Sequence, residues 1–200
     1  MSNDPSPTGA LARLSAALGE AGGRGLPPVE RWNPPDCGDI DMRIAADGTW
    51  HYLGSPIGRP ALVKLFASVL RREPDGRHVL VTPVERVGIT VEDAPFLAVE
   101  MAVEGEGDAR SVAFRTNVDD LVPVDADHAL TFARDGEGGL KPYLHVRRGL
   151  TALVTRALVY DLVELCEART VAGEAWFGLP AGGAFHHVAR MAELDGLDLG

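Results

Sequence analysis

Anion chemistry in this sequence falls to arginine. Of its 19 basic residues only Lys64 and Lys141 are lysines. A guanidinium presents a planar fork of donors that pairs bidentately with carboxylate or phosphate, which an ammonium cannot reproduce. Abundant Ala, Gly and Arg together also fit a genome-wide composition bias, so the arginine count alone defines no site. Arg59 and Arg147 stand out by position, because each precedes an expected helix. A helix start carries unpaired N–H groups and about half a positive charge, which attract anions. Trp32 and Phe96 supply rings able to stack on a ligand. Thr82 and Glu85 flank the break in strand pairing at Pro83. Asp93 opens Asp93-Ala94-Pro95-Phe96, where a turn aspartate and a proline set Phe96 at a strand start. Asn117, after Thr116, offers both amide donors and an acceptor. Each of these has a structural reading as well: turn chemistry, core packing or, for the arginines, pairing with acids such as Asp41 or Asp47.

Other chemistries find less support. The sequence has no phosphate-binding loop, no complete dinucleotide glycine fingerprint, no nucleophile elbow and no zinc-binding His-Glu-x-x-His. Asp39-x-Asp41 suits a hard cation, but more often such a pair caps a turn before a strand. His186-His187 reads as a solvated pair without a supporting carboxylate or cysteine. Cys37 and Cys166 form no disulfide framework or metal knuckle, and Cys166 reads as a core residue. No catalytic residue, metal ligand or cofactor is assigned.

The elements that must position these side chains follow from a chain of 200 residues with 46% hydrophobic and 24% charged content, values that indicate a globular protein of one or two domains. A net charge of -10 opposes general binding to nucleic acid or to acidic membranes. No run of about 18 uncharged apolar residues crosses a bilayer, and residues 1–25 lack the basic start and apolar core of a secretory leader. A cytoplasmic setting is expected; the oligomeric state is left open.

Residues 1–25 read as a flexible segment with a short helix at Ala10–Leu18. Asp47-Gly48 between short apolar stretches predicts a hairpin. Leu62, Leu65, Phe66, Val69 and Leu70 predict a helix over 59–72 with one buried stripe. Strands are expected at 79–82, 84–91, 96–104 and 110–116, then at 128–134 and 142–146. A long helix is expected over 148–165, and a closing hairpin around Gly182-Gly183. The domain boundaries read as 26–121 and 122–200. A shift of 88 residues lays Ile44–Leu70 on Phe132–Leu158 and matches Asp47-Gly48 with Asp135-Gly136 and Arg59 with Arg147, which reads as a duplicated hairpin–helix unit or as convergence of two generic ones. In the duplicated arrangement both arginines face one cleft between the domains.

The sequence is similar to the bacterial domain-of-unknown-function family 1285 over nearly all of 26–190. The resemblance rests on Trp32-x-Pro34, Gly38-Asp39-Ile40-Asp41-Met42-Arg43-Ile44, Asp47-Gly48-Thr49-Trp50 and Gly54-Ser55-Pro56-Ile57-Gly58-Arg59-Pro60. It continues through Leu65-Phe66, Thr82-Pro83-Val84-Glu85, Val91-Glu92-Asp93-Ala94-Pro95-Phe96, Thr116-Asn117 and Val146-Arg147-x-Gly149-Leu150. It implies an α+β fold with a duplicated core and a superficially pleckstrin-homology-like C-terminal domain. It further implies a binding site at the domain interface, a nucleotide-based ligand and a signalling role. The expected function is therefore a sensor that holds a small anionic ligand through Arg59, Arg147, Trp32, Phe96, Thr82, Glu85, Asp93 and Asn117. A protein-binding adaptor and a metal-dependent enzyme using Asp39, Asp41, Glu85 or Asp93 are the alternatives.

Overall fold

The structure is a computed structural model and describes residues 25–194; the expected helix at Ala10–Leu18 lies outside them. Two compact units emerge. One runs to Pro95 and includes Arg148–Leu150; the other holds Phe96–Arg147 and the chain from Thr151 onward. Both are mostly β with few helices, so the expected α+β balance tilts toward strand.

The first unit is a six-stranded sheet of order β3-β2-β1-β6-β5-β4. Its strands are β1 (Asp36–Ile44), β2 (Trp50–Tyr52), β3 (Ser55–Pro56), β4 (Leu70–Arg72), β5 (His78–Val81) and β6 (Arg86–Val91), with helix α1 (Pro60–Ser68) between β3 and β4. The Asp47-Gly48 turn forms as its chemistry requires. Gly48 takes φ 80°, and the Asp47 carboxylate accepts the Thr49 N–H at 2.9 Å. The apolar stripe of α1 carries the core inward: Phe66 is fully buried and stacks on Trp50 with ring centroids 6.4 Å apart. The helix stops before 72 because Val69 and Leu70, both buried, turn into the short edge strand β4, where Leu70 pairs with Leu80.

The second unit contains β7 (Phe96–Glu104), β8 (Ser111–Thr116), β9 (Leu121–Pro123), β10 (Leu130–Arg134), β11 (Leu140–Arg147) and, except for its first residue, β12 (Leu150–Val154). Helix α2 (Arg156–Glu164), a three-stranded sheet of β13 (Glu167–Val171), β14 (Glu174–Ala181) and β15 (Ala184–Arg190), and the short α3 (Met191–Leu194) complete it. Its large sheet has the order β10-β11-β12-β7-β8-β9. The sequence reading places residues 96–121 with the first domain; instead β7 pairs in parallel with β12, with Ala152 opposite Phe96 and Val154 opposite Ala98. That long-range pairing leaves no local mark in the sequence.

Residues 148–165 are not one helix. Arg148 (φ 52°) and Gly149 (φ 72°) make a tight reversal, and Leu150–Val154 then alternate between buried and half-buried as a strand. The helix begins only at Arg156. Leu150 and Leu153 fit a helical stripe and an alternating strand equally well, and the pairing partner decides. The 88-residue shift therefore superposes a helix on a strand. What the two units share is strand order: both sheets run 3-2-1-6-5-4 within their own unit around a parallel central pair, β1 with β6 and β7 with β12.

At the start of β1, Asp36 is held by Arg77 at 2.8 Å and by Arg86 at 3.4 Å. The Arg77 hydrogen bond, then the Gly38 N–H, holds its carboxyl far below the usual carboxylate range. Glu92 is lowered by the Ala46 N–H and by Arg43. A carboxylate depressed by folding contributes stability above its ordinary value near pH 4, and that contribution is lost as pH falls through the folded value. Thermal midpoints measured from neutral pH down should therefore drop below about pH 4. Asp36→Asn should start lower at neutral pH and decline less steeply; an unchanged acid slope in that variant would remove Asp36 from the account.

Candidate functional site

The expected binding residues distribute over both units, and most are engaged structurally. In the first unit Trp32 is half-buried, and its carbonyl accepts from Arg71 at 2.9 Å. Arg59 occupies the N-cap of α1 in an extended conformation; it is exposed and makes no ion pair among the described residues. Thr82 is buried and closes its own turn. Its hydroxyl accepts the N–H of Val84 at 3.3 Å and of Glu85 at 3.1 Å. Glu85 and Asp93 are half-buried. Of the carboxylates weighed for a metal, Asp39 lies 3.2 Å from Arg77, and no group of three or more His, Cys, Asp or Glu among the described residues is arranged to hold an ion.

Phe96, Asn117 and Arg147 come together in the second unit, though as a structural clasp. Arg147 is the last residue of β11 and not a helix start, because Arg148-Gly149 reverses the chain into β12. Its guanidinium pairs with Asp120 and lies 4.9 Å over the Phe96 ring. Phe96 is fully buried, so that ring presents no open face. Asn117 mimics a strand residue: its Oδ1 accepts the Leu97 N–H at 3.0 Å, and its own N–H donates to the Leu97 carbonyl at 2.9 Å.

A concave surface of the second unit lies elsewhere. A groove of about 710 Å³ opens between the β10–β11 turn and α2. From the turn it takes Asp135, Glu137, Gly139, Leu140 and Lys141; Leu153 and Val154 of β12 also line it. From the helix it takes Arg156, Val159, Tyr160, Val163 and Glu164, which recur at i, i+3, i+4, i+7 and i+8 and so form one face. Tyr160 is 68% exposed. Arg156 is exposed and makes no ion pair among the described residues. Asp135 shapes the rim by accepting the N–H of Glu137 at 3.0 Å and of Gly139 at 2.6 Å. A Cβ at Gly139 would meet the Asp135 carboxylate at 2.5 Å, so a side chain there would push that carboxylate out of its turn. Lys141 reaches over the Tyr143 ring at 5.7 Å.

The helix face was readable: Val159, Tyr160 and Val163 are apolar at helical spacing. The expectation of one long helix over 148–165 concealed that it is a second face. Cys166, just past the helix, is half-buried, and burial pushes its thiol up to about 12, which leaves little thiolate near neutral pH. His186 corrects another expectation. It is 5% exposed, whereas His187 is exposed and stacks on Trp176 at 4.4 Å. Adjacent strand residues point to opposite faces, so the pair divides between core and solvent. No helix among the described residues is long and apolar enough to cross a membrane.

If Asn117 is structural, Asn117→Ala strips the Leu97 N–H of its acceptor and lowers unfolding stability by about 1–3 kcal/mol, as read by urea denaturation. Unchanged stability would return Asn117 to the set of ligand-reading groups.

Comparison with known proteins agrees with this architecture. The family description "Domain of unknown function (DUF1285), N-terminal domain" matches residues 27–94, and "Protein of unknown function (DUF1285), C-terminal domain" matches residues 95–188. The junction between them coincides with the division between the two compact units at Pro95. The crystal structure of a DUF1285 family protein from Silicibacter pomeroyi DSS-3 is 46% identical, with a TM-score of 0.82 over 91% of this chain and 97% of that one. A DUF1285 family protein from Shewanella baltica OS155 is 30% identical over 62% of this chain and 91% of that one, with a TM-score of 0.49. Comparison with the curated proteins finds no match. With both of its domains matched in order, the chain belongs to the DUF1285 family.

Proposed function

We propose that this protein binds a small anionic ligand of nucleotide type, and that the groove between the β10–β11 turn and α2 receives it. The observation that carries the reading is the composition of that single helix face, with exposed Tyr160 between Arg156 and Glu164 above a floor of Leu153, Val154, Val159 and Val163. Small-molecule sites typically have volumes of roughly 300–1,000 Å³, mostly apolar walls and a few polar groups, and 710 Å³ falls in that range. The three parts of a nucleotide have counterparts here. Tyr160 offers a ring for a base to stack upon. Arg156 and Lys141 are cations for a phosphate. Glu137 and Glu164 are acceptors for the amino edge of a base.

This reading moves the ligand away from Arg147, which pairs with Asp120, from Phe96, which is fully buried, and from Asn117, whose Oδ1 accepts the Leu97 N–H. A signalling or sensor role and a cytoplasmic setting belong to the same proposal; the free thiols of Cys37 and Cys166 favour the latter. The pleckstrin-homology-like plan of the C-terminal unit draws support from its largely antiparallel strands followed by a helix, and the duplication from the shared strand order.

The adaptor reading has one observation of its own. The carboxylates of Glu137 and Glu164 beside apolar Val159 and Val163 also suit a basic, amphipathic peptide.

A thermal-shift panel of nucleotides and phosphorylated metabolites tests the proposal. A ligand at about 100 times its dissociation constant should stabilise the second unit by about 2.7 kcal/mol. Tyr160→Ala should weaken binding by about 1–3 kcal/mol through lost stacking, and Arg156→Ala by about tenfold, near 1.4 kcal/mol. Arg59→Ala should leave binding unchanged. A shift that survives Tyr160→Ala and Arg156→Ala intact, or no shift with any compound while a basic peptide binds, overturns the nucleotide reading.

A further inference from the structure

We infer that His186 is an acid-sensitive latch holding β15 onto the start of β10, and that it thereby couples pH to the β10–β11 hairpin that walls the groove. The His186 Nδ1 accepts the backbone N–H of Leu130 at 3.2 Å. Leu130 is the first residue of β10, and both residues are more than nine-tenths buried. An accepting Nδ1 carries no proton, so the ring is neutral with its hydrogen on Nε2. That Nε2 is buried without a partner of hydrogen-bonding geometry among the described residues, and Asp125 acts on the ring through its charge alone.

Protonation turns both ring nitrogens into donors. Nδ1–H would then face the Leu130 N–H, donor against donor, and a buried backbone group would lose its acceptor. The charged and titratable groups near the ring come from several elements. Asp125 lies in the loop before β10, where its Oδ1 is 3.0 Å from His128 Nδ1. His145 of β11 stacks on His128 at 6.4 Å, and His187 is the neighbour on β15. The facing stretch of β14, Gly178–Ala181, carries no charge.

Burial lowers the His186 proton affinity, and this outweighs the opposing pull of the Ala181 carbonyl and of Asp125. The latched form is therefore fully present above the ordinary histidine value and is lost as pH falls through the lowered one. Leu130 opposite Leu144 is the first rung of a ladder that ends with Arg134 opposite Leu140, next to the turn at Asp135–Gly139. Releasing the first rung loosens the wall that the turn supplies. The coupling to ligand rests on the groove reading above; the latch itself does not.

The test is amide exchange at Leu130 by NMR in the ligand-free full chain, near pH 7.5 and pH 5, corrected for the intrinsic pH dependence of exchange. Protection should fall by about tenfold or more at the acid pH. In His186→Asn, whose Oδ1 replaces Nδ1 as a non-titrating acceptor, it should stay level. Level protection in the parent protein, or the same fall in His186→Asn, overturns the latch. Should that variant not fold, the ring ¹⁵N shifts of the parent decide. A neutral Nε2–H tautomer that titrates together with the Leu130 amide supports the latch, and a cationic ring near pH 7.5 overturns it. The nucleotide panel repeated at both pH values separates the two readings. Binding weakened by acid in the parent but not in His186→Asn supports the coupling, and equal affinity at both pH values overturns it. No binding at either pH beside a responsive Leu130 overturns the groove reading and leaves the latch standing.

Discussion

The parallel pairing of β12 with β7 is the constraint on which the second unit depends. Its two strands are separated in sequence by the whole of β8 to β11, so the unit closes only when its far end returns to Phe96. The ladder matches Ala152, Leu153 and Val154 to Phe96, Leu97 and Ala98, and it extends one residue further, with the Thr155 N–H on the Ala98 carbonyl at 3.1 Å. Thr155 is also the N-cap of α2. The rotational phase of the helix is therefore set by the sheet. With about 3.6 residues per turn, a slip of one residue would swing the helix face by about 100° and carry Tyr160 off the groove. The same strand brings Phe96 under Arg147 and Leu97 beside Asn117.

Local chemistry was legible in the sequence, and distant pairing was not. The Asp47-Gly48 hairpin, the stripe of α1, the strand at 96–104 and the Gly182-Gly183 turn each depend on residues close together in the chain, and each formed. Leu150–Val154 shows where such reasoning ends. Its leucines satisfy a helix and a strand alike, and only β7, more than fifty residues away, selects the strand. Several of the expected site residues find partners within the protein for a related reason. Arg147, Phe96 and Asn117 were expected to hold a ligand, and the fold supplies partners of its own: Asp120 and the Phe96 ring for Arg147, and Leu97 for Asn117. Nothing near Arg147 in sequence announces an aspartate 27 positions away.

The first unit has the same strand order but a different use of its helix. α1 follows the third strand and spends Phe66 against Trp50 inside the core. α2 follows the sixth strand and buries Leu162, while Val159, Tyr160 and Val163 line the groove. A helix placed before the second half of its sheet can be covered by strands still to come. One placed after the sheet has only its inner stripe to bury, and the adjoining face stays available. Shared topology is thus compatible with a concave surface built in the second unit by its own elements.

The arginine bias also resolves physically. Arg43, Arg71, Arg77, Arg86, Arg115, Arg147 and Arg169 each pair with a carboxylate, and Arg71 in addition donates to the carbonyls of Val29 and Trp32. In a chain of net charge -10 these guanidinium groups bind the protein's own acids, and the long-range field repels anions. An anionic ligand must then be held by contact and not by steering, which places the weight on short-range groups. Arg156, exposed and outside any ion pair among the described residues, beside a ring able to stack, meets that requirement in a way that the neutralised Arg147 does not.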